Sequence, residues 1–262
     1  MTWRAAVKLA YDGQDFFGSQ RQPEVPTVEA EVIRALRRIK AIEDPQTARF
    51  RTASRTDRGV SALGNVVAFD TSFRGRSLLK ALNAVSESVF FYAWAEVPKN
   101  FSPRRAQARW YRYFLPCQGL DISRVEKCAG LFLGEHDFRR FCKPDGWSSV
   151  RTLDKLSVTP TGDFLVIDLE AREFLRNMVR RIVAALREVG AGRRHEEDVR
   201  RALEGEDIQF GLAPPEKLWL MDVRYPFEFT VAAPPGLLAL VKERSQSAKL
   251  KLSFYDSLAS RF

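Results

Sequence analysis

A chain of 262 residues with 45% hydrophobic and 11% aromatic side chains can bury a full core, which excludes disorder as a class. Lysine and arginine outnumber aspartate and glutamate by 42 to 33, and the resulting charge of +9 fits a polyanionic partner. Of those 42 bases 31 are arginine, whose planar fork suits phosphate and whose face suits stacking. The opening residues carry no apolar h-region and no run approaches a membrane span, so a cytoplasmic protein with no membrane partner is expected. Cys117, Cys128 and Cys142 are odd in number and lack a Cys-x-x-Cys pair, which argues against a disulfide framework. Together with His136 they are also spaced unlike the tight knuckles of a structural zinc site, so no metal is expected.

In chain order, residues 3–10 alternate in the strand period until Tyr11-Asp12-Gly13 breaks it. Thr27 has the chemistry of an N-cap, with Glu29 and Glu31 in the first turn and a helical stripe of Val28, Val32, Ala35, Leu36 and Ile39 behind it. A short strand at 47–52, a strand at 65–70, a helix capped by Ser77 and a β-rich run at 89–97 ended by Pro98 follow. The order β-α-β-β-α-β then recurs. Residues 104–115 read as a strand, 122–132 as a helix, 150–159 and 164–171 as a hairpin about Thr161-Gly162-Asp163. A helix at 173–189 ended by Gly190, a shorter one at 196–204 and a strand at 218–225 complete the second set, and the tail beyond Tyr225 stays unassigned. The expected class is α+β, with two ferredoxin-like halves, 1–103 and 104–262. They would join into one extended antiparallel or mixed sheet with helices on one side and a central basic cleft.

Three clusters bear chemistry. The first is Ser54-Arg55-Thr56-Asp57-Arg58-Gly59-Val60-Ser61, a carboxylate between two arginines, with Arg49, Arg51, Arg74 and Arg76 nearby in sequence. Neighbouring cations favour the charged carboxylate and hold a polyanion close, although these eight residues alone more commonly mean a solvated turn. In the second, residues 104–114, a strand puts Arg109, Tyr111 and Tyr113 on one face and Trp110, Arg112 and Phe114 on the other. That pattern fits a platform for an unstacked base, with Arg104 and Arg105 beside it, and it equally fits an aromatic core face backed by a charged outer one. The third places Arg180 directly after Val179, at the margin of a buried helical stripe. An arginine there needs an anionic partner, either Asp57 or a structural carboxylate such as Asp168 or Glu170.

Taken in order, these segments resemble the TruA-type tRNA pseudouridine synthases along most of the chain. The matching segments are Tyr11-Asp12-Gly13 with Phe17-Gly18 and Gln20, residues 54–62, Leu82-Asn83-Ala84, and Phe101 before Arg109-x-Tyr111-x-Tyr113. Gly134-Glu135-His136-Asp137-Phe138, Phe174-Leu175 with Met178-Val179-Arg180, and Ala213-Pro214 before Leu218-x-Leu220 complete the set. Ser54, Arg58, Ser61 and Lys217 depart from the bacterial-type pattern and look closer to archaeal or eukaryotic branches.

The resemblance implies isomerisation of uridine to pseudouridine at positions 38–40 of the tRNA anticodon stem-loop, without cofactor and commonly as a homodimer. It implies Asp57 as the catalytic carboxylate, Arg180 as its partner and Tyr111 against the uracil. Arg55, helped by Arg58, would fill the gap left by the flipped base. Leu220 belongs to the substrate contacts by the same route, and Arg104, Arg105, Arg109, Arg112 and Lys217 to the RNA contacts. The rival expectations are a non-catalytic RNA chaperone on the same fold and, less favoured with only two histidines, a metal-dependent nuclease or glycosidase.

Overall fold

The first half of the chain builds a four-stranded unit whose edges differ in kind. The computed structural model describes every residue except Met1, Asp145 and Ala233. β1 (Trp3–Tyr11) leads into α1 (Val28–Arg38), and the two-residue β2 (Arg51–Thr52) precedes β3 (Ser61–Thr71). α2 (Gly75–Asn83) and β4 (Val89–Val97) follow, and the spatial order is β4-β1-β3 with β2 against β3. Thr27 caps α1 by accepting the Ala30 amide at 3.4 Å, a device worth about 1 kcal/mol.

The second half repeats this order with β5 (Ala108–Pro116), α3 (Ile122–Gly130), a small pair formed by β6 (Gly134–Asp137) and β7 (Val150–Leu153), then β8 (Lys155–Thr161) and β9 (Phe164–Ala171). α4 (Met178–Gly190), α5 (Glu196–Leu203) and β10 (Leu218–Arg224) complete it, with strand order β10-β5-β9-β8. In each half the fourth strand flanks the first, then come the third and the second, the order of a ferredoxin-like unit. The halves are spliced where β10 runs parallel to β3 through Trp219↔Ser61 and Leu220↔Ala62. Among the described residues nine strands form this sheet, the last being β11 (Thr230–Val231) against β4.

The splice explains why β2 is so short. β3 pairs with β2 through Val67 and Ala68 and with β10 through Ser61 and Ala62, so its partner changes midway along one edge. The chain between Thr52 and Ser61 has to leave the sheet at that point, and that segment carries Asp57.

Several expected boundaries move, each for a local reason. The strand at 47–52 shrinks to β2 because Asp44 accepts the amides of Gln46 and Thr47 and bends the chain into a turn that ends at Arg49, φ +48°. The second helix starts at Gly75, so Ser77 lies within its first turn and is not its cap. Residues 104–107 lie in a loop before β5, and 150–159 divides at Asp154 into β7 and β8. The helix expected from residue 173 starts at Met178, because Asn177 adopts a left-handed φ of +64°. Gly190 belongs to the last turn of α4, where a Cβ would stand 2.5 Å from the Val125 side chain on α3; the left-handed turn after the helix falls to Gly192, φ +70°.

The unassigned tail forms α6 (Pro235–Ala259). Leu237 is buried, and Arg244 lies over the Phe90 ring while donating to the Glu87 carbonyl at 2.8 Å, so this basic residue anchors the helix. Every residue from 245 onward is exposed. No helix of the described residues is long and apolar enough to cross a membrane.

Candidate active site

Asp57 sits on a loop held on both flanks. Ala53 still donates to Val66 across the ladder at 2.8 Å. Asn65, a fully buried polar residue on β3, then substitutes for the missing strand: its amide nitrogen donates to the Ser54 carbonyl at 3.0 Å, and its side-chain oxygen accepts the Ser54 amide at 3.3 Å. Thr56 is clamped to the N-terminal segment. Its amide donates to Ser19 Oγ at 2.7 Å, its carbonyl accepts the Ser19 amide at 3.0 Å, and its hydroxyl bonds that of Tyr11 at 2.8 Å. Here the Tyr-Asp-Gly opening finds its physical meaning. A side chain on Gly13 would place its Cβ 2.3 Å from the Val60 carbonyl carbon, so glycine is required for the two loops to touch.

The Asp57 side chain meets the other half of the molecule. Arg180 on α4 donates from Nη1 to Asp57 Oδ2 at 2.9 Å and from Nε to the Ala213 carbonyl at 2.7 Å. Ala213 in turn donates its amide to the Arg180 carbonyl at 3.1 Å, so the Ala213-Pro214 segment fixes the arginine that fixes the aspartate. The pair is only partly covered, with Arg180 12% and Asp57 33% exposed at the side chain, which leaves the carboxylate reachable.

Tyr111 on β5 is buried, edge-on to Phe174 with ring centroids 5.1 Å apart. Burial pushes its phenol above the ordinary value, the Arg109 charge pulls it back, and the Asp57 carboxylate adds to the rise. Tyr111 is therefore a neutral hydroxyl within electrostatic reach of Asp57.

The other expected site residues divide by position. Arg55, Arg58, Arg104 and Arg105 are exposed, and the Arg58 guanidinium rests 4.1 Å above the Phe17 ring. Lys217 ends a short 3-10 turn just before β10. Leu220 is fully buried between Ala62 and Tyr111 in the register, so it supports the two strands and is not open to a ligand in this conformation.

Two arginines depart from the RNA contacts expected of them. Arg109 is buried with 7% exposure and donates to Ser54 Oγ at 2.9 Å, to the Ala53 carbonyl at 3.0 Å, to the Arg104 carbonyl at 2.9 Å and to the Arg172 carbonyl. Its side chain is spent inside the protein. Arg112 projects from the sheet face opposite Tyr111, where Asp168 accepts both its Nε and Nη2 at 2.9 and 3.0 Å.

Sequence reasoning did not single out Ser19, Asn65 or the Ala213 carbonyl as props of the loop. Asn65 gave a signal, since an amide at the head of an apolar strand needs a buried partner. Among the described residues no cluster of three or more His, Cys, Asp and Glu is arranged to hold a metal.

One carboxylate gripped by an arginine, within electrostatic reach of a buried tyrosine and on a loop that carries the exposed Arg55 and Arg58, stands where the two halves meet. A family model described as tRNA pseudouridine synthase matches residues 128–226. A tRNA pseudouridine synthase A of Pyrococcus abyssi is 46% identical over 226 residues, covering 85% of this chain and 84% of the relative. One from Methanococcoides burtonii is 43% identical over 228 residues, covering 85% and 83%. Among solved structures, a Cbf5-Nop10-Gar1 complex aligns at 14% identity and TM-score 0.37 over 70% of this chain and 45% of that one, a likeness too slight to bear on function. The chain belongs to the tRNA pseudouridine synthase family, and so to the isomerases.

Proposed function

We propose that the protein isomerises uridine to pseudouridine at positions 38–40 of the tRNA anticodon stem-loop, with Asp57 as its catalytic carboxylate. The observation that carries this reading is the 2.9 Å contact between Asp57 and Arg180, which joins the two halves at one reachable anion. The uridine has to leave its stack, at about a few kcal/mol, and the basic rim with Arg55 offsets that cost by occupying the vacated space. The C1′–N1 bond breaks as positive charge grows on the sugar, and Asp57 meets that charge as nucleophile or by taking a sugar proton. The freed uracil turns, C5 bonds to C1′, the C5 proton leaves and N1 gains one, so no water is consumed. Tyr111 offers its ring to the uracil, and its hydroxyl relays the departing C5 proton, accepting it as its own proton passes on to solvent. In the same reading the protein works as a cytoplasmic homodimer.

The test is an unmodified tRNA transcript incubated with purified protein, followed by mapping of pseudouridine. Product confined to positions 38–40, and absent from a transcript with cytidine there, is the expected result. No product, or product only outside the anticodon arm, overturns the reading.

Arg180→Lys probes the grip on Asp57. Lysine is a point donor and cannot hold the Ala213 carbonyl and the carboxylate with one planar fork. Losing one charge-assisted bond is expected to lower kcat by about 10- to 100-fold with little change in the KM for tRNA. Single-turnover kinetics at saturating enzyme measures it.

A further inference from the structure

Next to the Asp57 loop lies a recess of about 290 Å3 lined by Arg51, Thr52, Arg55, Arg104, Phe50 and Ser19, with Gln20 and Glu29 at its border. Its charge is unbalanced. Three arginines and one glutamate line it, and Glu29 already accepts the Arg21 amide at 2.9 Å. Arg55 and Arg104 have no side-chain hydrogen bond or ion pair among the described residues, and Arg51 reaches only its neighbour's carbonyl, Phe50, at 2.9 Å. Elsewhere the arginines of this protein are commonly paired, as at Arg4–Asp70, Arg140–Asp207 and Arg201–Glu206. Thr52 lines the recess and its Oγ1 is closed off without a hydrogen-bond partner, so this hydroxyl gains a bond by turning into the recess. Phe50, buried and stacked on Phe69, gives the recess an apolar wall.

We propose that this recess is a second nucleotide subsite, which takes the phosphate and base of the nucleotide next to the uridine held at Asp57. Its volume lies at the small end of ligand pockets and suits one nucleotide, not a duplex. Arg51 and Arg104 grip the phosphate, Thr52 bonds the base or sugar, and Arg55 stands between the recess and Asp57. The recess shares Ser19 with the clamp that holds Thr56, so a nucleotide seated there bears directly on the catalytic loop. The occupant is RNA because the ligand must reach the Asp57 cleft and this recess as one strand. The proposal rests on the reading of the protein as a tRNA-modifying enzyme.

The experiment measures the Kd of catalytically idle Asp57→Asn protein for tRNA over a range of salt, with Arg51→Ala and Arg104→Ala added singly. Each is expected to weaken binding about tenfold and to reduce the salt slope by about one. A neutral methylphosphonate is then placed singly at each phosphate flanking the modified uridine. At one of these positions the loss should match that of Arg51→Ala and not add to it. Thr52→Val should reduce the preference for the neighbouring base and leave the salt slope unchanged. Wild-type affinity and slope in both arginine variants, or full additivity at every phosphate, overturns the subsite. Binding alone is read here, so failure of the subsite is distinct from failure of wild-type protein to form pseudouridine.

Discussion

Asp57→Asn is expected to abolish pseudouridine formation while the fold and tRNA affinity stay close to those of the wild type. The amide has the shape of the carboxylate, and its oxygen can still accept the Arg180 bond now 2.9 Å long. What it lacks is the negative charge, which the reaction needs either to attack C1′ or to take the sugar proton. Removing the reacting group of a catalytic unit costs at least about 10⁴ in rate. The cost in stability is smaller: Arg180 keeps the Ala213 carbonyl at 2.7 Å and is still 12% exposed, so its unpaired charge is partly solvated. A loss of about 1 kcal/mol is the expected order. Affinity for tRNA should hold or tighten slightly, because an anion near the strand has been removed. Three measurements decide it together: pseudouridine mapping, a binding isotherm and a urea melt. Activity that survives in the Asp57→Asn protein would remove the carboxylate from the mechanism, whereas tRNA binding with no pseudouridine formed by the wild type would favour an RNA chaperone.

The parts of this site that were legible in the sequence are those where one side chain has one task. Asp57 between two arginines and Arg180 at the edge of a buried stripe are such positions, and they meet across the halves. The repeated element order was legible because periodicity survives without exact boundaries. Less was visible where two structures satisfy the same spacing. Leu175 continues the apolar stripe of α4 backwards, but it packs from a loop, since Asn177 turns left-handed before the helix begins. The tail hid its helix for another reason: Leu238, Val241 and Leu252 lie on one side of α6 and Leu250, Phe254 and Leu258 on the opposite one, so no single apolar face stands out. Arg109 shows a third kind of failure. Alternation placed it on the face of Tyr111 and Tyr113, and that face is the core.

Arg109→Met should therefore be among the most destabilising single changes in this protein. The methionine keeps much of the length and apolar stem of arginine but donates nothing. Three backbone carbonyls, from Ala53, Arg104 and Arg172, and the Ser54 hydroxyl lose their donor at once. Each buried acceptor left bare costs about 1–3 kcal/mol, and partial relaxation brings the expected total to about 3–5 kcal/mol. In a chain of this size that lowers Tm by about 10 °C. Those four acceptors belong to three separate segments: the start of the Asp57 loop, the crossing between the halves and the turn after β9. Activity should accordingly fall further than the unfolded fraction explains, because Ala53 and Ser54 set the path of the chain into Asp57. Arg105→Met is the control, an exposed neighbour expected to stay within about 0.5 kcal/mol of the wild type. Urea titrations of both variants, with kcat measured on the folded protein, separate the two effects. Wild-type stability in the Arg109 variant would mean that this arginine does not tie the segments together and that its burial is incidental.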